Sequence, residues 1–111
     1  MVSSVLIKNV NIIPMPGSRV LHGYNMVIEG ARIKRIFPSR KQETDKFAGR
    51  IINGKGKFLI PGLFDMHVHL HSQTWLSLFL RYGITAIRET GSYKKEIFSL
   101  RDKVNSGKVL G

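Results

Sequence analysis

The stretch Ile60-Pro61-Gly62-Leu63-Phe64-Asp65-Met66-His67-Val68-His69-Leu70-His71 decides how the rest of the chain is read. Pro61-Gly62 breaks whatever precedes it. Phe64 to Leu70 then alternates apolar and polar side chains, the period of a strand. Residues two apart on a strand share a face and lie roughly 6.5–7 Å apart along it. Asp65, His67, His69 and His71 are therefore expected on one face, and Phe64, Met66, Val68 and Leu70 on the other. A polar inward face, with an apolar face against helices, is what the first strand of an enzyme barrel requires. Two imidazoles at this spacing can converge on one ion at about 2.0–2.1 Å each. Taken alone, His-x-His is a weak signal, because an edge strand with solvent-facing histidines has the same pattern.

Upstream of Pro61 the chain reads as strands. Val5 to Val10 begins one, and Pro14-Met15-Pro16-Gly17 ends it. Tyr24 to Glu29 and Arg32 to Phe37 flank Gly30-Ala31, which predicts a hairpin. Arg50 to Asn53 and Lys57 to Ile60 flank Gly54-Lys55-Gly56, which predicts a second hairpin. Residues 1–61 are thus expected to form a small antiparallel sheet, part of a β-sandwich. Downstream the period changes. Ser72 is placed to cap a helix whose Trp75, Leu76, Phe79 and Leu80 face a core, and Gly83 suits its end. Ile84 to Glu89 is a further strand, and Ser92 can cap a second helix presenting Ile97, Leu100 and Val104. That β-α-β-α order signals a parallel sheet. Residues 62–111 therefore read as the first two βα units of a (β/α)8 barrel, which needs about 250 residues to close.

The chain has 111 residues, 42% hydrophobic and 23% charged, a globular composition. Without cysteine, disulfide staples, zinc fingers and thiol nucleophiles are excluded. No long apolar run suggests a membrane span, and the first residues do not read as a secretory signal, so the cytoplasm is the expected compartment. Eighteen Lys and Arg against seven Asp and Glu give a net charge of +11. Such a field attracts polyanions whatever the fold. The excess is spread along the chain, however, and its densest part, Arg32 to Lys57, lacks the interleaved aromatics that stack bases. A solvated basic face is the expected reading, and nucleic acid is not the expected partner.

The run Gly56 to Leu70, with its Pro61-Gly62 turn and Asp65-Met66-His67-Val68-His69, resembles the opening motif of the amidohydrolase superfamily of metal-dependent hydrolases. Tyr82 to Gly91 is similar to the same family, as is Met26 to Ile33. With Leu100-Arg101-Asp102 and Asn105-Ser106-Gly107, the likeness is greatest to the imidazolonepropionase and Xaa-Pro dipeptidase-like branch. The resemblance covers nearly the whole chain but only about the first quarter of a family member. It implies a small β-sandwich leading into a barrel, and metal-assisted hydrolysis of an amide, cyclic amide or peptide-like C–N bond in a small molecule. It implies a divalent cofactor, most often zinc. His67 and His69 would be metal ligands, and Asp65 a partner supporting them. His71 would stand on the substrate side or simply be a polar residue at the strand's exit. Glu89 would face the pocket or pair with Arg88 or a neighbouring loop. The remaining ligands and the proton-moving carboxylate are expected beyond Gly111, so the 111-residue chain alone is expected to be inactive.

Three readings compete at this stage. The chain is a shortened amidohydrolase, or a non-catalytic basic binding module, or one chain of a split hydrolase. Strand edges and helix faces of an incomplete barrel are association liabilities, so oligomerisation is expected.

Overall fold

The computed structural model describes residues 3–40, 46–91 and 95–111. The chain divides into two compact units, Met1–Pro61 and Gly62–Gly111. No helix among the described residues is long and apolar enough to cross a membrane.

The first unit is a five-stranded sheet: β1 (Ser4–Ile12), β2 (Leu21–Glu29), β3 (Arg32–Pro38), β4 (Arg50–Asn53) and β5 (Phe58–Leu59). β2 and β3 form the expected antiparallel hairpin, with Met26 opposite Ile36. Gly30 opens its two-residue turn at φ 58°, a conformation that matches the twist of hairpin strands and costs glycine nothing. β1 is central. It pairs antiparallel with β2 through Leu6–Val27 and Ile7–Met26. Leu6, Val27 and Phe37 form one buried cluster, and Val10, Ile12 and Met26 a second, joined by Leu21, Tyr24 and Leu59.

The second hairpin does not exist. β4 and β5 each pair parallel to β1, Val5 to Lys8 with Arg50 to Asn53, and Asn11-Ile12 with Phe58-Leu59. The sheet is therefore mixed rather than antiparallel. Gly54 explains the difference. Its N–H donates to the Lys8 carbonyl at 2.7 Å, and a Cβ there would lie 2.6 Å from Val10 Cβ. The turn is thus pressed against β1, and the chain steps along that strand instead of folding back on itself.

β1 carries register shifts on either side of Val10, near Asn9 at φ 55°. Asparagine tolerates this left-handed conformation better than most side chains. The fully buried Asn25 accepts the Asn9 N–H on Oδ1 at 2.9 Å, which replaces a lost ladder bond. Asn25 Nδ2 is buried with no hydrogen-bond partner among the described residues.

The second unit runs β6 (Leu63–Val68), α1 (Trp75–Arg81), β7 (Ile84–Glu89), α2 (Glu96–Asn105). β6 and β7 pair in parallel, which a helical crossover permits. Val68, Leu70 and Leu76 are its buried centre, with Phe79, Ile87, Ile97, Leu100 and Val104 against them. Thr74, not Ser72, is the N-cap of α1, and no side chain caps it. Ser72 Oγ instead accepts the Thr74 N–H, and the Ser72 carbonyl accepts the Trp75 N–H, a turn one step ahead of the helix. Trp75 is 40% exposed rather than core. Tyr82 and Gly83, at φ 83°, end the helix, and the Gly83 carbonyl accepts the Leu63 N–H that opens β6. The proposed Ser92 cap of α2 lies outside the described residues. Of the expected apolar face of β6, Val68 and Leu70 are buried, whereas Phe64 is 71% and Met66 58% exposed.

Candidate metal centre

The polar residues of the decisive stretch gather where β6 runs out. The β6–β7 ladder pairs Asp65 with Ile87 and next pairs Val68 with Glu89, so β6 spends one residue more than β7 over that interval. Such an irregularity re-aims side chains and is frequent beside active sites. Asp65 stabilises it locally: its Oδ1 accepts the His67 N–H at 3.1 Å. The carboxylate thus supports the backbone of His67.

His67 and His69 are exposed, and their rings stand edge to face with centroids 5.2 Å apart and planes at 71°. Two imidazoles bound to one tetrahedral ion at about 2.0–2.1 Å hold their centroids roughly 5 Å apart. The observed separation fits a shared ion. Among the described residues no group of three or more His, Cys, Asp or Glu is placed to hold a metal.

His69 lies just past β6, yet its flanks are fastened. The Val68 carbonyl accepts the Thr90 N–H at 2.9 Å. The Leu70 N–H donates to Glu89 Oε1 at 3.3 Å, and the Gly91 N–H to Glu89 Oε2 at 3.1 Å. Glu89 therefore binds the β6 exit loop through its backbone. His71 is exposed and stacks edge-on against Trp75, with centroids 5.4 Å apart. An apolar groove of about 650 Å³, lined by Phe79, Ile84, Ile87, Phe98 and Val104 among others, includes none of the three histidines of this stretch. Glu89 is among the polar residues that line it, beside a mostly apolar wall.

No protein-family model matches the chain. Among curated proteins it is 39% identical over 83 residues to a 5-methylthioadenosine/S-adenosylhomocysteine deaminase of Caldanaerobacter subterraneus subsp. tengcongensis, a match over 72% of this chain and 17% of the deaminase. This chain corresponds to the N-terminal region of the amidohydrolase superfamily. Solved structures carry the same fold across this amidohydrolase region. A Xaa-Pro dipeptidase with methionine in its active site superposes with TM-score 0.71 at 27% identity, over 98% of this chain and 32% of the dipeptidase. Molinate hydrolase gives TM-score 0.80 at 21% identity, over 99% of this chain and 28% of that enzyme. The chain spans less than a fifth of the length of the curated relatives it matches and about three tenths of the solved ones. Members of the superfamily typically bind a divalent metal.

Proposed function

We propose that this amidohydrolase region supplies the first two βα units of a (β/α)8 barrel and two metal ligands, His67 and His69, to a hydrolase of C–N bonds. The observation that carries the reading is the pair of exposed imidazole rings 5.2 Å apart at the exit of β6. Catalytic groups of such barrels sit at the C-terminal ends of strands, which is where both histidines stand. The ion, zinc in this proposal, would polarise the scissile centre and make water acidic enough to attack near neutral pH. Neutral imidazole nitrogens of His67 and His69 would hold it, and Asp65 would keep the His67 backbone in place. His71, exposed and edge-on against Trp75, would meet the substrate. The relative named as a deaminase and the solved dipeptidase both split a C–N bond by their names, which supports a small amide, peptide-like or amino-substituted ring compound as substrate. The remaining ligands and the group that carries the proton to the leaving nitrogen would come from elsewhere in the intact protein.

Elemental analysis of the intact natural protein, with a screen of amide and amino-heterocycle substrates, tests this. His67→Ala and His69→Ala are each expected to lower bound zinc and hydrolysis together. Retention of full zinc occupancy and activity by both variants would sink the proposal.

A further inference from the structure

We propose that Glu89 is a positioning residue for His69, an inference that rests on His69 being a metal ligand. His69 follows the last ladder pair of β6, so its ring is aimed by whatever holds the backbone on either side of it. Both holding points lie at the exit of β7: the Thr90 N–H donates to the Val68 carbonyl, and Glu89 Oε1 accepts the Leu70 N–H. The second oxygen, Oε2, takes the Gly91 N–H. Gly91 adopts φ 144°, and a Cβ on it would lie 3.6 Å from His69 Cε1, so the His69 ring stands beside this glycine with a methyl group's width between them. One carboxylate thereby fastens both the chain that carries His69 and the backbone that passes beside its ring. The arrangement asks for two acceptor oxygens on one side chain. A carboxylate has them; a carboxamide puts an NH2 donor where one of the two oxygens stood, so one of the two N–H groups would face a donor. Groups that orient a metal ligand without touching the metal typically change affinity by 10–100-fold when removed.

The test uses the intact natural protein carrying Glu89→Gln, with Glu89→Asp and His69→Ala beside it. Amide exchange of the metal-free protein, zinc affinity by chelator competition, and the visible spectrum of the Co2+-loaded protein are measured. Glu89→Gln is expected to speed exchange at Leu70 and Gly91, to weaken zinc about 10–100-fold and to shift the Co2+ bands. Glu89→Asp, with both oxygens but a shorter reach, is expected to fall between. If Glu89→Gln does not fold, Glu89→Asp decides: weakened zinc supports the proposal and wild-type affinity overturns it. Unchanged affinity and spectrum in Glu89→Gln, with zinc lost in His69→Ala, overturn the positioning role and leave the ligand reading standing. Full zinc binding by His69→Ala removes the ligand reading and this inference together.

Discussion

The Asp65 carboxylate holds the backbone N–H of His67 at 3.1 Å, so the aspartate of the motif acts on the main chain two residues ahead of it. A hydrogen bond to a charged acceptor contributes about 1.5–3 kcal/mol where it is sheltered, and less at this partly exposed site. Asp65→Asn keeps an acceptor at the same reach and is expected to bind zinc within about threefold of the natural protein. Asp65→Ala is expected to weaken zinc about tenfold or more. Chelator competition on both variants measures this, and equal affinity for Asp65→Ala and the natural protein refutes it.

Gly62 leaves no room for a side chain. A Cβ there would stand 2.8 Å from Thr85 Cβ and closer still to Thr85 Oγ1. Gly62→Ala is expected to cost about 1–3 kcal/mol by overpacking. Thr85→Gly should relieve it, so the double variant is expected to be more stable than the sum of the two single losses. Additive losses in denaturant unfolding would show that the contact is not the cause.

Asn25 and Asn9 sustain the irregularity of β1. Asn25→Ala strands the Asn9 N–H, and the expected cost is about 1–3 kcal/mol. Asn9→Gly accepts the same φ and is expected to be nearly neutral, whereas Asn9→Val is expected to cost about 1–2 kcal/mol. Thermal unfolding orders the three. A Val variant as stable as the Gly variant would contradict the left-handed assignment.

Phe64 separates the barrel reading from its rivals. It is 71% exposed in this chain, so Phe64→Ser is expected to change the stability of the 111-residue chain by less than about 0.5 kcal/mol. In an intact barrel the same side chain would be covered, and the expected loss rises to about 3–5 kcal/mol. Equal small effects in both proteins would argue against a barrel built on β6.

Much of the second unit was legible because its cues are local. Ile84 to Glu89 is β7 to the residue, Gly83 closes α1 at positive φ, and His67 and His69 were visible as a pair two apart. What the sequence hid depends on contacts between distant residues. β4 and β5 have the composition of hairpin strands, and only their fit against Val10 and Lys8 makes them parallel neighbours of β1. Glu89 was visible as a polar residue at a strand end, but its bond to the Leu70 N–H spans 19 positions. Trp75 looked like core because helical spacing counts faces, not which face finds a partner. The only local hint of the β6 irregularity was an aspartate two residues before the amide it binds, a spacing at which Asp often bonds its own chain.

The central place of β1 has a consequence during synthesis. One edge of this strand is matched by residues 21–29, made soon afterwards, while the other waits for residues 50–59. Between those moments the nascent chain carries an open strand edge able to recruit a stranger, as unsatisfied N–H and C=O rows do. Non-local pairing is also the slower step, because a longer loop must close first. Pulsed amide labelling of a refolding sample should therefore show the amides of β2 and β3 protected before those of β4. Simultaneous protection would mean that the sheet closes as one event.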